Sequence, residues 1–192
     1  KLVCGAGNED AEEVKRLTVL YTLAGAKGLD ISANVEVVKA CMEGIDFAFD
    51  LAEEFNIKLT LRPFIMVSVG MPGDHHVRKA VINLDTCIKC DLCIPVCPTD
   101  AIPKSLVVIK DKCIGCGNCS AICPKPDIIH YEHNQMSLRK LLPECLQAGA
   151  EQIELHAAVL EDESIMDEWK MVSEVCPDGH ISMCLDRLHL SN

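Results

Sequence analysis

The first seventy residues alternate between short apolar runs and longer stretches with a helical period. Lys1-Leu2-Val3-Cys4 is a strand-like run ended by Gly5. Asp10, Glu12 and Glu13 place acids in a first helical turn, and Val14, Leu17, Tyr21 and Ala24 follow at helical spacing until Gly25 and Gly28 break the pattern. Leu29, Ile31 and Ala33 alternate with Asp30 and Ser32 as a second short strand. Asn34 caps a helix predicted to run to about Phe55, with Val35, Val38, Met42, Ile45 and Phe49 inward and Gly44 weakening it slightly. Phe64 to Val69 is a continuous apolar run of the kind buried on both faces of a parallel sheet.

After Pro72-Gly73-Asp74 the helical period vanishes, and it returns beyond Tyr131. Leu138, Leu141, Leu142, Cys145 and Leu146 form a stripe interrupted by Pro143; Gln152–Leu155 reads as strand, Glu161–Val175 as helix and Ile181–Leu185 as a last strand. The order is therefore β-α-β-α-β, an insert, then α-β-α-β. Such units fit a doubly wound sheet or the first part of a TIM-type (β/α)₈ barrel, and the expectation here is a partial barrel, α/β in class, interrupted by a cysteine-rich domain. The expected division is 1–79 and 132–192 for the α/β domain and 80–131 for the insert. Lys1 is not an initiator Met, so any leader is expected to be gone from this chain, and Arg187–Asn192 reads as a cut loop.

Composition narrows the function. Lys and Arg number 18 against 29 Asp and Glu, a formal charge of −11, and the aromatics are four Phe, two Tyr and one Trp. A phosphate-tracking or base-stacking surface needs the opposite, so no nucleic-acid partner is expected. No apolar stretch is long enough for a transmembrane segment. Thirteen cysteines, eight of them between Cys87 and Cys123, are clustered in a way that disulfide scaffolds are not, and a reducing compartment is expected, either cytoplasm or chloroplast stroma.

Those eight form Cys87-x2-Cys90-x2-Cys93-x3-Cys97-Pro98 and Cys113-x2-Cys116-x2-Cys119-x3-Cys123-Pro124, an internal duplication with a 26-residue offset. Three thiolates two residues apart can wrap one iron–sulfur cube, while the fourth, set off before proline, reaches the other cube. Two [4Fe–4S] clusters are expected, the first on Cys87, Cys90, Cys93 and Cys123, the second on Cys113, Cys116, Cys119 and Cys97. Zinc is the competing cofactor, but its tetrahedral sites use two knuckles separated by a longer spacer. Ile88, Ile94, Ile114 and Ile122 are expected around the cubes. The module from about Ala80 to Tyr131 resembles bacterial-type two-cluster ferredoxins, which implies one-electron transfer.

Of the remaining cysteines, Cys41 and Cys145 sit on helical faces and read as core, and Cys176 has no pattern of its own. In a barrel, Cys4, Asp30, Ser32, Ser68, His156, Cys184 and Asp186 would lie near the carboxyl ends of strands, where such folds place their sites, but no catalytic constellation assembles from their spacing. His75-His76 reads as an exposed linker. The seven acids from Glu151 to Glu168, with no intervening Lys or Arg, read as a solvated helix face or a dock for a basic partner.

Beyond the cysteine repeats, Lys1–Gly5, Tyr21–Ala26, Leu29–Ala33, Gly44-Ile45-Asp46, Arg62–Ser68, Glu154-Leu155-His156 and Cys176-Pro177-Asp178-Gly179 resemble the light-dependent period protein family of cyanobacteria. That resemblance implies an iron–sulfur protein that reports cellular redox state to the circadian clock, with clock components as partners. The regularity of both cysteine repeats points instead to an electron-transfer subunit of a larger redox complex. A flavin-dependent barrel oxidoreductase fed by its own clusters is the third reading, although no Gly-rich phosphate loop supports it.

Overall fold

Two runs of chain separated by the cysteine-rich insert build one parallel sheet. The computed structural model describes residues 1–70, 78–133, 138–157, 162–177 and 179–184. The first run supplies β1 (Leu2–Val3), α1 (Ala11–Leu23), β2 (Gly28–Ser32), α2 (Val35–Glu54) and β3 (Phe64–Gly70). The insert supplies β4 (Arg78–Ile82), a 3₁₀ turn (Lys110–Lys112), α3 (Asn118–Ile122) and β5 (Ile129–His133). The second run adds α4 (Leu138–Ala148), β6 (Gln152–His156), α5 (Asp162–Val175) and β7 (His180–Cys184). His75, His76, Asp186 and the stretch Arg187–Asn192 lie outside the described residues.

The helix starts follow from their caps. Asp10 Oδ1 accepts from the Glu13 amide, and Asn34 Oδ1 accepts from the Glu36 and Val37 amides, which satisfies donors that the first turn leaves unpaired. Pro143 lies inside α4, where it lacks the amide hydrogen needed for one intrahelical bond.

The strands stand side by side in the order β1-β2-β3-β6-β7, all parallel. Order in space thus follows order in the chain, without the reversal that defines a doubly wound sheet. Among the described residues the sheet is open, with β1 and β7 at its edges. Side chains alternate across it. Leu29, Ile31, Ile65, Val67, Val69, Ile153 and Leu155 face the helices and form a dry core with Val14, Val37, Val38, Cys41, Leu142, Cys145 and Val172. The opposite face carries Asp30, Ser32, Met66, Ser68, Glu154, His156, Ser182 and Cys184 in lateral register.

Helix faces differ in detail from the sequence expectation. In α1 the buried residues are Val14, Thr18 and Thr22, with Leu17 and Tyr21 only partly buried and Ala24 exposed. In α2 they are Val37, Val38, Cys41, Gly44, Ile45, Ala48 and Ala52, while Val35, Met42 and Phe49 sit at the margin. The cause is the close crossing of α1 and α2, which selects small side chains over large ones. Thr18 donates its hydroxyl to Cys41 Sγ at 3.4 Å, and a Cβ added at Gly44 would lie 2.9 Å from the Lys15 carbonyl oxygen. Gly44 is therefore a packing requirement, and not the mild weakness its helix propensity indicates. Gly44→Ala is expected to lower stability by about 1–3 kcal/mol despite alanine's better propensity, as an overpacked contact against backbone cannot relax cheaply; a thermal melt checks the sign.

Candidate iron-sulfur site

The insert is held by the antiparallel pair β4·β5, with Ala80 opposite Tyr131 and Ile82 opposite Ile129. Its small core, built on Ala80, Ile82, Ala101, Ile102, Leu106 and Ile128, also takes in Cys113 and Cys119. Around that core the eight motif cysteines fall into two groups of four. One cavity is lined by Cys87, Cys90, Cys93 and Cys123, together with Ile82, Ile88, Leu92, Leu106, Ile128 and Ile129. The other is lined by Cys97, Cys113, Cys116 and Cys119, with Ala101, Ile102, Val108 and Tyr131. Each loop therefore contributes three thiols to its own cavity and a fourth to its neighbour's.

Both cavities suit an iron–sulfur cube. All eight thiols are free of disulfides, the rest of each lining is mostly hydrocarbon, and backbone amides are aimed at sulfur. Ala80 N–H donates to Cys113 Sγ at 3.4 Å, Ala101 N–H to Cys97 Sγ at 3.2 Å, and Lys89 N–H to Cys87 Sγ at 3.4 Å. Such donors stabilise negative charge on sulfur. Burial, and after it the neighbouring sulfurs of Cys119, Cys87 and Cys90, push the Cys93 thiol up.

The two loops share a backbone conformation as well as a spacing. Lys89 and Asp91 have φ of 52° and 60°, and the positions 26 residues on are Gly115 and Gly117, with φ of 67° and 90°. The second loop meets the left-handed requirement with glycine; the first meets it with ordinary residues at a cost in strain. Ile88 and Ile114 line their respective cavities, as expected. Ile94 packs into the small core outside both linings, and Ile122 is exposed at the end of α3, because the cubes' surroundings come mainly from β4, β5 and the 101–108 segment.

Sequence reasoning passed over the residues that brace the second loop. Arg78 stacks on the Tyr131 ring at 4.0 Å and donates to the Gly115 carbonyl at 3.1 Å. Tyr131 and Ser120 share a hydrogen bond of 2.8 Å beside Cys119. Lys79, 5% exposed, places its ammonium 2.9 Å from the Cys113 carbonyl, 2.7 Å from the Gly7 carbonyl and 3.1 Å from Glu9 Oε2. One buried cation thus joins the second cysteine loop to the turn after β1. The visible hint was two adjacent cations, Arg78-Lys79, entering a strand.

The other candidates divide between buried thiols and the polar face of the sheet, where Asp30, Ser32, Ser68, His156 and Cys184 lie. Cys4, Cys41 and Cys145 are buried, and desolvation pushes their thiols up to about 12, 11 and 11. Their folded pKa values exceed the unfolded value, so they favour the fold below the ordinary thiol range and lose that contribution as pH rises from about 9 toward 11–12. Alkylation of the folded protein at pH 8 is expected to leave all three unmodified, as read by mass spectrometry, until global unfolding exposes them. Asp30 and Ser68 do come together through a short hydrogen bond donated by Ser68, and Lys1 bridges Asp30, at 3.0 Å, and Glu154. The acidic run is not one surface: Glu151 pairs with Arg62 at 2.8 Å and Glu154 sits on the polar sheet face, so only its later members lie on α5.

Comparison with known proteins agrees with the module's geometry. Residues 80–131 match the family described as 4Fe–4S dicluster domain. Over 179 residues, 92% of this chain, the sequence is 35% identical to "Light dependent period A" of Synechococcus elongatus. The chain spans about half, 49%, of that relative's length. No solved structure matches the chain.

Proposed function

For this relative of light dependent period A, an iron–sulfur redox protein with a 4Fe–4S dicluster domain, we propose that it converts cellular redox state into a conformational signal, as a clock-input type of regulator. Two [4Fe–4S] clusters carry the redox change, held by the four-cysteine groups that line the two cavities. When bound they supply one-electron oxidation and reduction. The protein's own residues do the rest: amides of Ala80, Ala101 and Lys89 tune the sulfurs, and hydrocarbon forms most of the remaining lining of each cavity. Residues 80–131 act as the inserted redox domain, while 1–79 and 132–192 act as one α/β domain.

The observation that carries the sensing role is the Lys79 joint. The second cysteine loop touches the carboxyl-end turn of β1 through a buried ammonium, and Glu9 N–H donates to the Asp111 carbonyl at 3.1 Å beside it. A charge change at the adjoining cluster alters the field on a cation with little solvent to screen it. Gly7 and Glu9 line an open cleft of about 480 Å³ with Ser32, Asn34 and Ser68, so the signal has a place to act. Reduction is expected to change hydrogen-exchange protection in residues 5–9 and 110–113, measured anaerobically in both redox states. Unchanged protection there, with clusters demonstrably reduced, would sink the sensing role.

A pure electron relay is the second reading, favoured by the cavity of Cys87, Cys90, Cys93 and Cys123, where exposed Ile88 and Leu92 flank the exposed Cys90 and offer an apolar contact for a redox partner. The α/β domain is read as the first part of a barrel because its strands run in chain order and its helices pack on one face. Among the described residues no helix is long and apolar enough to cross a membrane, and the unpaired thiols suit a reducing compartment, cytoplasmic or plastid.

A further inference from the structure

The polar face of the parallel sheet ends in three side chains that the iron–sulfur reading does not use. Glu154 and His156 alternate along β6 and so project to the same side, and Cys184 is the in-register neighbour of His156 on β7. One carboxylate oxygen, one imidazole nitrogen and the thiol sulfur lie within 4.8 Å of one another. Ligand atoms around a tetrahedral ion at about 2.0–2.3 Å stand roughly 3.3–3.8 Å apart, so a small contraction brings these three onto a common centre.

We propose that Glu154, His156 and Cys184 bind a zinc-class divalent ion, separate from the cubes, with the remaining coordination position open. The donor set carries the choice of metal. A thiolate with an imidazole suits zinc, whereas magnesium and calcium would want oxygen donors only, and a cube would want more sulfur. Three protein ligands with one vacant position is the pattern of zinc sites that hold water or a ligand, in contrast to closed structural sites. The supporting shell is present: Lys1 pairs with Glu154 and with Asp30, and Ser68 donates to Asp30, so the carboxylate is held in place by a buried polar row. His156 and Cys184 are the last residues of their strands and Glu154 lies mid-strand in β6, on a face that carries Asp30, Ser32 and Ser68 where a structural sheet would carry hydrocarbon. Binding releases the Cys184 thiol proton to solvent, so affinity rises with pH.

The test uses the protein with its clusters intact, purified anaerobically and titrated with Zn²⁺ while iron content is followed. One zinc per chain is expected without loss of iron, and its X-ray absorption fine structure should fit one sulfur at about 2.3 Å with nitrogen and oxygen at about 2.0–2.1 Å. Cys184→Ser and His156→Ala should each weaken zinc binding by at least about 100-fold and leave the cluster spectrum unchanged. Absence of stoichiometric zinc, a four-sulfur shell, zinc gained only as iron departs, or a zinc affinity in either variant unchanged from that of the unsubstituted protein would overturn the site. The one-sulfur shell is read on the unsubstituted protein, so a poorly folding variant does not leave the question open. None of these outcomes bears on whether the cysteine module carries two cubes.

Discussion

Cys97→Ser is expected to disturb the cluster held by the second cysteine repeat while sparing the one bound by the first, although Cys97 belongs to the first repeat in sequence. It lines the cavity of Cys113, Cys116 and Cys119, and its sulfur accepts from the Ala101 amide on that side. Iron should fall from about eight per chain toward about four, or toward seven if a three-iron remnant persists. The residual spectrum should match that of Cys116→Ser. Cys123→Ser should reproduce the complementary spectrum, that of Cys90→Ser, because Cys123 lines the cavity of the first repeat. If Cys97→Ser and Cys90→Ser leave the same residual signal, each repeat holds its own cube and the interlocked assignment is wrong.

Lys79→Met is expected to have the second largest effect, on stability and potential together. Its ammonium is buried against two carbonyls and Glu9, and removing it strands all three acceptors. Loss of one partner from a buried pair costs about 3–5 kcal/mol; Glu9 is partly open to water, so about 3 kcal/mol is the better expectation here. The sign for the cluster follows from charge. Removing a cation beside the second loop favours the less negative, oxidised cluster, so the potential should drop, on the order of tens of millivolts in a partly screened interior. Lys79→Arg keeps the charge and should retain most of the potential while disturbing packing. A potential unchanged in Lys79→Met would remove the joint from any signalling role.

The element order was legible because its signals are local. Apolar runs, caps at Asp10 and Asn34, and a 26-residue cysteine repeat each act within a few residues. Thr18 and Gly44 were not legible, because a buried threonine and a helix glycine are explained only by the neighbouring helix that approaches them. The same holds at the site. Spacing alone groups the thiols into fours, but Lys79 acquires meaning from the Gly7 turn, 72 residues away in sequence. Lys89 and Asp91 hide their kinship with Gly115 and Gly117 until the backbone angles are compared. Glu154 was legible as part of a strand, but only the register shows that it stands beside Ser68 and Ser182 on the polar face.

A redox-titrated EPR spectrum of anaerobically purified protein reads together whether two interlocked cubes occupy the module and whether their potential lies in the ambient range. Two spin-coupled [4Fe–4S]⁺ signals are expected, with at least one titrating near the thiol poise of the cell, roughly −200 to −300 mV, since only such a centre changes state when the cell does. Both signals titrating at or below roughly −400 mV would contradict sensing and leave a low-potential relay. No iron–sulfur signal at all would contradict the cubes themselves.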